Sequence, residues 1–385
     1  MSEQGHSPDI EKWVKLIRAD GVGPKAFARL LKQFGGFDGV FGASVAELTK
    51  VKGIGVQTAE RIRRSLGKFN VDKELELADK LGVTLIHAGD KRYPAALRVI
   101  YDPPPVLYVK GFLERGDGLA VAIVGSRRCS GYGEEQASRF AHVLASAGFT
   151  VVSGGARGVD TSAHRGALMG GGRTISVQGC GLFFDFPLEN APLFQKIARN
   201  GACISELPLE IEAFSENFPA RNRIIAGLCM AVLVIEASER SGALLTAQAA
   251  LEYGREVMAV PGKIDSPLSA GSHQLIKQGA RLVDCVEDVM DALGHIGEGL
   301  KEHVAAVEGE AEMPLFDAAR MNLSEGERAV LESLDGEARH VEEIIAATGL
   351  GAGVVNSGLV GLRLKGLVKQ LPGSLFVRVG KQASR

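Results

Sequence analysis

The chain lacks three things, and each absence removes a class of protein. No apolar run approaches the ~20 residues needed to span a bilayer. The longest uncharged one, Ile224–Ile235, covers 12 residues. The N-terminal MSEQGHSPDI has no signal-peptide core, so a soluble, cytoplasmic protein with no membrane partner is expected. The five cysteines, Cys129, Cys180, Cys203, Cys229 and Cys285, form no Cys-x-x-Cys pair, and four lie in or beside apolar runs. That pattern predicts buried thiols in a reducing compartment rather than a disulfide framework or a structural zinc. Net charge is nearly absent too, at −2. A diffusely basic nucleic-acid coat is excluded, and any such contact must come from a local groove.

What the chain does have is glycine, 49 of 385 residues, against a usual ~7%. The glycines sit in short clusters after apolar runs, as ligand-binding turns do. The length predicts two or three domains, at roughly 100–200 residues each.

Residues 1–70 read as a small helical domain. DGVGPK at Asp20–Lys25 and KGIGVQT at Lys52–Thr58 echo each other, and each leads into an amphipathic helical pattern. Apolar-Gly-apolar-Gly before a helix is the helix-hairpin-helix signature, whose turns approach phosphates closely. Residues 71–118 read as a lead-in with a helix, a strand, the triple proline Pro103–Pro105 and a second strand. Prolines there suggest an edge position. Between residues 119 and 290, continuous apolar strands alternate with helices, which predicts a Rossmann-like, doubly wound, mostly parallel sheet. An acidic Gly/Ala-rich linker follows at 297–320. At 321–385 a Ser324/Glu327 capping box, three helical patterns and a hairpin about Pro372-Gly373 predict a winged helix.

Ligands of doubly wound sheets bind beyond the strand carboxyl ends. The loops expected there read GSRRCSGYG (125–133), GGARGVD (154–160), GCGLFFDFP (179–187), EASERSGALLT (236–246) and PGK (261–263). None is G-x-G-x-x-G, and no G-x-x-x-x-G-K-[ST] exists, so no dinucleotide or ATP cofactor is expected. Of the 15 basic residues between 119 and 290, 12 are arginine, the preferred fork for phosphate oxygens. Arg127, Arg157, Arg221, Arg223 and Lys263 are the candidates for a local cationic patch, although Arg221 and Arg223 also fit a structural ion pair, for example with Glu216. Phe183, Phe184 and Phe186 offer rings to unstacked bases, or else cap the sheet core. His142 and His164 have no partner at metal-ligand spacing, and Ser126, Ser153 and Ser241 have no nucleophile elbow, so neither a metal nor acyl transfer is expected.

The runs IVGSRRCSGYG, VSGGARGVDTSAHRGAL, FPARNRIIAGL, SGALLTAQAA and GREVMAVPG resemble the DNA-processing protein A family (DprA/Smf), as does RYPAALRVIYDPPPVLYVKG before them. The resemblance spans about residues 90–285. It implies a Rossmann-like domain that binds single-stranded DNA, a homodimer, delivery of the strand to a RecA-type recombinase in natural transformation, and no enzymatic turnover. Carried over position by position, it implies phosphate-facing roles for Gly125, Ser126, Arg127, Gly154, Arg157, Gly158, Arg221, Asn222 and Arg223, with Ser241 and Lys263 as further positions and Phe186 on the base side. The sequence departs from the family's pattern at Gly155, Cys229, Phe186 and Leu188. At 188 a basic or polar contact is lost. In the winged helix only Asn356, Ser357, Arg363 and Lys365 suit DNA contact, too few on one face for sequence readout.

Two other readings compete. A nucleoside-phosphate hydrolase of the lysine-decarboxylase-like type would need Pro-Gly-Gly-x-Gly-Thr and a following acid, whereas PGKIDSPLSAG lacks both the second glycine and the acid. A duplex-binding regulator would work through the winged helix.

Overall fold

A computed structural model describes residues 5–293, 323–334, 338–364, 367–371 and 375–378. The linker at 297–320, the Pro372-Gly373 turn and Lys365 lie outside them. Nine strands form one sheet: β1 (Val83–His87), β2 (Val106–Gly111), β3 (Ala120–Val124), β4 (Thr150–Ser153), β5 (Thr174–Val177), β6 (Ala202–Ser205), β7 (Ala231–Val234), β8 (Glu256–Ala259) and β9 (Arg281–Leu282). Their spatial order is β1-β2-β6-β5-β4-β3-β7-β8-β9. From β6 to β9 every pair is parallel. The lead-in adds β1 and β2 antiparallel at the β6 edge, with Tyr108 opposite Ser205.

Each central strand is buried on both faces, which is why it reads as an unbroken apolar run. Ala120, Ala122 and Val124 of β3 face the layer that holds Ile224, Ile225, Ala243 and Ala247. Val121 and Ile123 face the opposite layer, with Phe140, Leu144, Ala163 and Ala167. On that second face the helices Gly131–Ser146 and Val159–Met169 cross very closely. A Cβ on Gly166 would stand 2.3 Å from the Ser138 carbonyl oxygen. The chain winds outward from β3 through β4, β5 and β6, then returns to set β7 beside β3. The order of winding therefore reverses between β3 and β7, and the ends of those strands open a crevice there.

The N-terminal helices bear out the paired hairpins. Gly21 and Gly53 adopt φ of +91° and +87°. Gly23 and Gly55, both extended, precede the helices Pro24–Phe34 and Val56–Ser65 with no side-chain cap. Trp13 packs between Phe27 and the His87 ring of β1, with centroids 5.3 and 4.4 Å away. The segment before the first helix lies along the outer edge of β1. There the Ser7 N–H donates to the Leu85 carbonyl at 2.9 Å, and the Leu85 N–H donates to His6 Nδ1 at 3.1 Å.

A clasp secures this segment. Ser7 Oγ donates to Asp90 Oδ2, Arg92 donates to both Asp90 oxygens, and Arg92 Nη1 donates to the Gly5 carbonyl at 2.7 Å. Burial alone would raise the Asp90 carboxyl, but the hydrogen bonds from Arg92 and Ser7 outweigh it and hold the group well below its usual range. A carboxyl depressed in the folded state stabilises above its unfolded pKa of ~3.9 and loses that contribution as pH falls below it. The N-terminal segment is therefore expected to become progressively more protease-sensitive as pH falls below ~3.9, as read by timed proteolysis with an acid protease. Asp90→Asn is expected to be sensitive already at neutral pH, where a serine protease replaces the acid one; equal protection of the two proteins at pH 7 would refute the clasp.

The winged helix is formed by helices Glu325–Glu332, Val341–Thr348 and Ala352–Leu364 with a three-stranded sheet. The Ser324–Glu327 capping box is present. The expected hairpin is β11 (Val368–Leu371) with β12 (Leu375–Arg378), and a short strand β10 (Arg339–His340), not expected, pairs with β12. Arg363, a candidate for DNA contact, reaches Asp291 at 3.4 Å. Among the described residues no single helix is long and apolar enough to cross a membrane.

Candidate nucleic-acid interface

The crevice between β3 and β7 encloses about 700 Å³. One wall is the loop after β3, with Gly125, Ser126, Arg127 and Arg128. The other is the loop after β7 with Ser238 and Ser241, and the floor holds Asp160, Arg221 and Asn222. Arg127 and Arg128 are exposed.

The first loop is held from below by Glu236. The Ser126 N–H donates to the Glu236 carbonyl at 2.7 Å, and the carboxylate receives the Ser130 N–H at 2.8 Å and its hydroxyl at 2.7 Å. Ser130 Oγ in turn caps the helix Gly131–Ser146. On the second wall Ser241 Oγ accepts from the Ala243 N–H and opens the helix Gly242–Glu252. Asn222 Nδ2 donates to the Gly242 carbonyl at 3.2 Å. The N-terminus of the helix Gly242–Glu252 thus opens onto the crevice, whereas that of Gly131–Ser146 is occupied by Glu236.

FPARNR is helical, part of Asn217–Leu228, and that helix is buried around most of its circumference. Its arginines are both tied to other groups of the protein. Arg221 is buried, and its Nη1 donates to the Gly154 carbonyl at 2.6 Å and to the Val177 carbonyl. It ties together the carboxyl ends of β4 and β5. Burial lowers its pKa to about 10, an effect partly offset by Asp160. Burial pushes the Asp160 carboxyl up, against Arg221 and the Ala156 N–H. Arg223 points away from the crevice, with Glu206 and Asp102 as its ion-pair partners. The structural ion pair considered from sequence therefore exists for Arg223, with partners other than Glu216. These acids lie in the loop after β6 and in the lead-in, so sequence proximity could not have found them.

The remaining candidates divide cleanly. Gly154 and Gly158 lie under the crevice and are required by close approach. A Cβ on Gly154 would stand 2.2 Å from Arg221 Nη1. Gly158 has φ +73°, and its Cβ would meet the Ser126 carbonyl oxygen at 2.4 Å. Arg157 is exposed and ion-paired with Glu189. Lys263 is exposed beyond β8, outside the crevice lining. Phe186 also stands outside the lining, with its ring centroid 5.8 Å from that of Phe218.

Phe218 is the residue the sequence reading missed. It lines the crevice, with the Arg127 guanidinium 4.7 Å and the Arg221 guanidinium 5.8 Å from its ring centroid. Its spacing of three from Arg221 would have placed both on one helix face, had the segment been read with a helical period. His164 lies beneath the floor. Burial, with Arg221 nearby, drops its pKa to about 3, and Nδ1 pairs with Thr174 Oγ1 at 2.7 Å. Among the described residues one trio, Asp284, Cys285 and Asp288, brings potential metal-ligand atoms within 4.8 Å of one another. It lies beyond β9, outside the crevice lining.

An open α/β sheet with a cationic, aromatic-lined crevice at its winding reversal, flanked by a helix-hairpin-helix pair and a winged helix, defines a class of nucleic-acid-handling protein. The chain belongs to the DNA recombination-mediator protein A family, whose family model matches residues 84–294. Models of the DprA winged helix domain and of a SAM-like helix-hairpin-helix tandem match residues 314–374 and 14–68. Protein Smf of Synechocystis is 34% identical over 391 residues, 95% of this chain and 98% of that one. DNA processing protein DprA of Streptococcus pneumoniae is 44% identical over 201 residues, 52% of this chain and 71% of that one. The X-ray structure of the S. pneumoniae DprA aligns with a TM-score of 0.64 at 35% identity, covering 74% of this chain and 96% of that one.

Proposed function

We propose that the chain binds single-stranded DNA without sequence preference in the crevice between β3 and β7, as a homodimer, and delivers the strand to a RecA-type recombinase without turning over a substrate. The observation that carries this reading is the Phe218 ring, beside the Arg127 guanidinium, inside a crevice onto which the N-terminus of the helix Gly242–Glu252 opens. Guanidinium and free N–H groups suit phosphates, and the ring suits a base that is already unstacked. In a duplex the base faces are stacked and such a ring has nothing to meet. The lining carboxylate Asp160 is buried beside Arg221 and accepts an N–H. Family membership supports the recombination role.

Binding of labelled single and double strands across a salt series tests the reading. Single strands are expected to bind more tightly, with log K falling linearly against log salt. Arg127→Ala is expected to flatten that slope by about 0.7, the loss of one phosphate contact, with thermal stability unchanged. Equal affinity for duplex, or an unaltered slope, would sink the proposal. Sedimentation of the free protein tests the dimer. The lag before recombinase polymerises on the strand, with and without the protein, tests delivery.

A further inference from the structure

Beside the crevice the chain leaves large apolar side chains open to solvent on two adjoining segments. Phe183, Phe186 and Leu188, beyond β5, are 48%, 40% and 76% exposed, and Phe214, beyond β6, is 51% exposed. The segments run side by side, with the Gly181 N–H on the Ile211 carbonyl at 2.7 Å and the Phe183 N–H on the Leu209 carbonyl at 3.1 Å. A concentration of this kind on a surface marks a place where something binds.

The patch is continuous with the crevice. The Phe186 ring neighbours Phe218, and Phe214 stands between Ala213 and Ser215, both of which line the crevice. Its charges have the opposite character. Asp185, Glu189 and Glu212 are exposed around it, and Arg157, the base that approaches it, is paired with Glu189. Such a rim repels phosphates. Flat, uncharged nucleobases with outward N–H donors suit both the apolar faces and the acidic edge.

We propose that Phe183, Phe186, Leu188 and Phe214 form a platform for the unstacked bases of a single strand whose phosphates follow Arg127 and Arg128. The platform rests on the single-strand reading above and adds the path of the bases. It gives affinity through stacking, which is tolerant of sequence, and it contributes nothing to the salt dependence, which comes from phosphate contacts alone.

The full-length protein is titrated with oligothymidylate and with an abasic strand of the same length, across a salt series. Wild type is expected to prefer the strand that carries bases by about tenfold or more, the lower range for stacked bases. A Phe183→Ser/Phe214→Ser variant is expected to lose most of that preference while holding the abasic strand as wild type does, with the same salt slope. Leu188→Ser, at the most exposed position, is a second variant expected to lose part of the preference without risk to the fold. If the variants keep the full preference, the platform is wrong. If they sediment at lower mass than wild type, the patch is an interface between copies and the proposal falls. If wild type binds neither strand, the single-strand reading itself fails.

Discussion

Arg221→Ala is expected to lower the unfolding free energy by about 3–5 kcal/mol, the usual result of taking one member from a buried charged network. The guanidinium lies inside the sheet domain and satisfies the carbonyls of Gly154 and Val177. Without it those carbonyls lose their donor and the Asp160 carboxyl loses its neighbouring cation. Urea unfolding gives the number. Gly154→Ala offers an independent approach to the same contact, because its Cβ would collide with Nη1. Overpacking there is expected to cost about 1–3 kcal/mol. If Arg221→Ala unfolds at the wild-type midpoint, the arginine is not the strut described.

Arg223→Ala is the second large effect, and its signature is in pH. Burial already pushes the Glu206 carboxyl up, opposed by Arg223 and Arg18. Arg223 also donates to the Asp102 carbonyl at 2.7 Å, and Asp102 receives the Tyr253 hydroxyl at 2.6 Å. Removing the guanidinium raises Glu206 further. A carboxyl raised in the folded state stabilises below its unfolded pKa and loses that contribution as pH rises through the folded value. The variant's deficit is therefore expected to grow from pH 5 to pH 8, reaching on the order of 3 kcal/mol at the upper end. Melting temperatures of both proteins at the two pH values measure it, and a deficit independent of pH would mean that Glu206 is not the coupled group. Any effect of these two variants on the proposed DNA binding is expected to come through the fold, so Arg127 is the position that separates binding from stability.

How much of this was legible depends on which physical link carries the information. The strand runs and their glycine loops place GSRR and ERSG at one sheet edge, because buried parallel strands leave no other pattern and their carboxyl ends converge. The crevice was readable on that ground. Where the FPARNR side chains point was not. A helix buried on nearly all sides shows no polar stripe, so its register cannot be read from periodicity. Arg223 finds its acids in the loop after β6 and in the lead-in, a pairing that only the closed sheet creates. Phe218 was legible in principle, three residues from Arg221, and was missed because its segment was not read with a helical period. Gly154 and Gly158 were recognised, but the reason for them was not. They make room for protein atoms beneath the crevice.

The segment that lies along β1 has a consequence for the solution behaviour of the chain. A bare strand edge is a template for pairing with any other extended chain. The lead-in hairpin covers the β6 edge, and the Ser7 N–H and the His6 ring occupy the backbone groups of Leu85 that β1 would otherwise present. Trimming of the first few residues by a protease leaves every crevice residue in place and uncovers that edge. The clipped protein is expected to keep its affinity for a strand when fresh and to aggregate on storage, so shelf life rather than binding would report the integrity of its N-terminus.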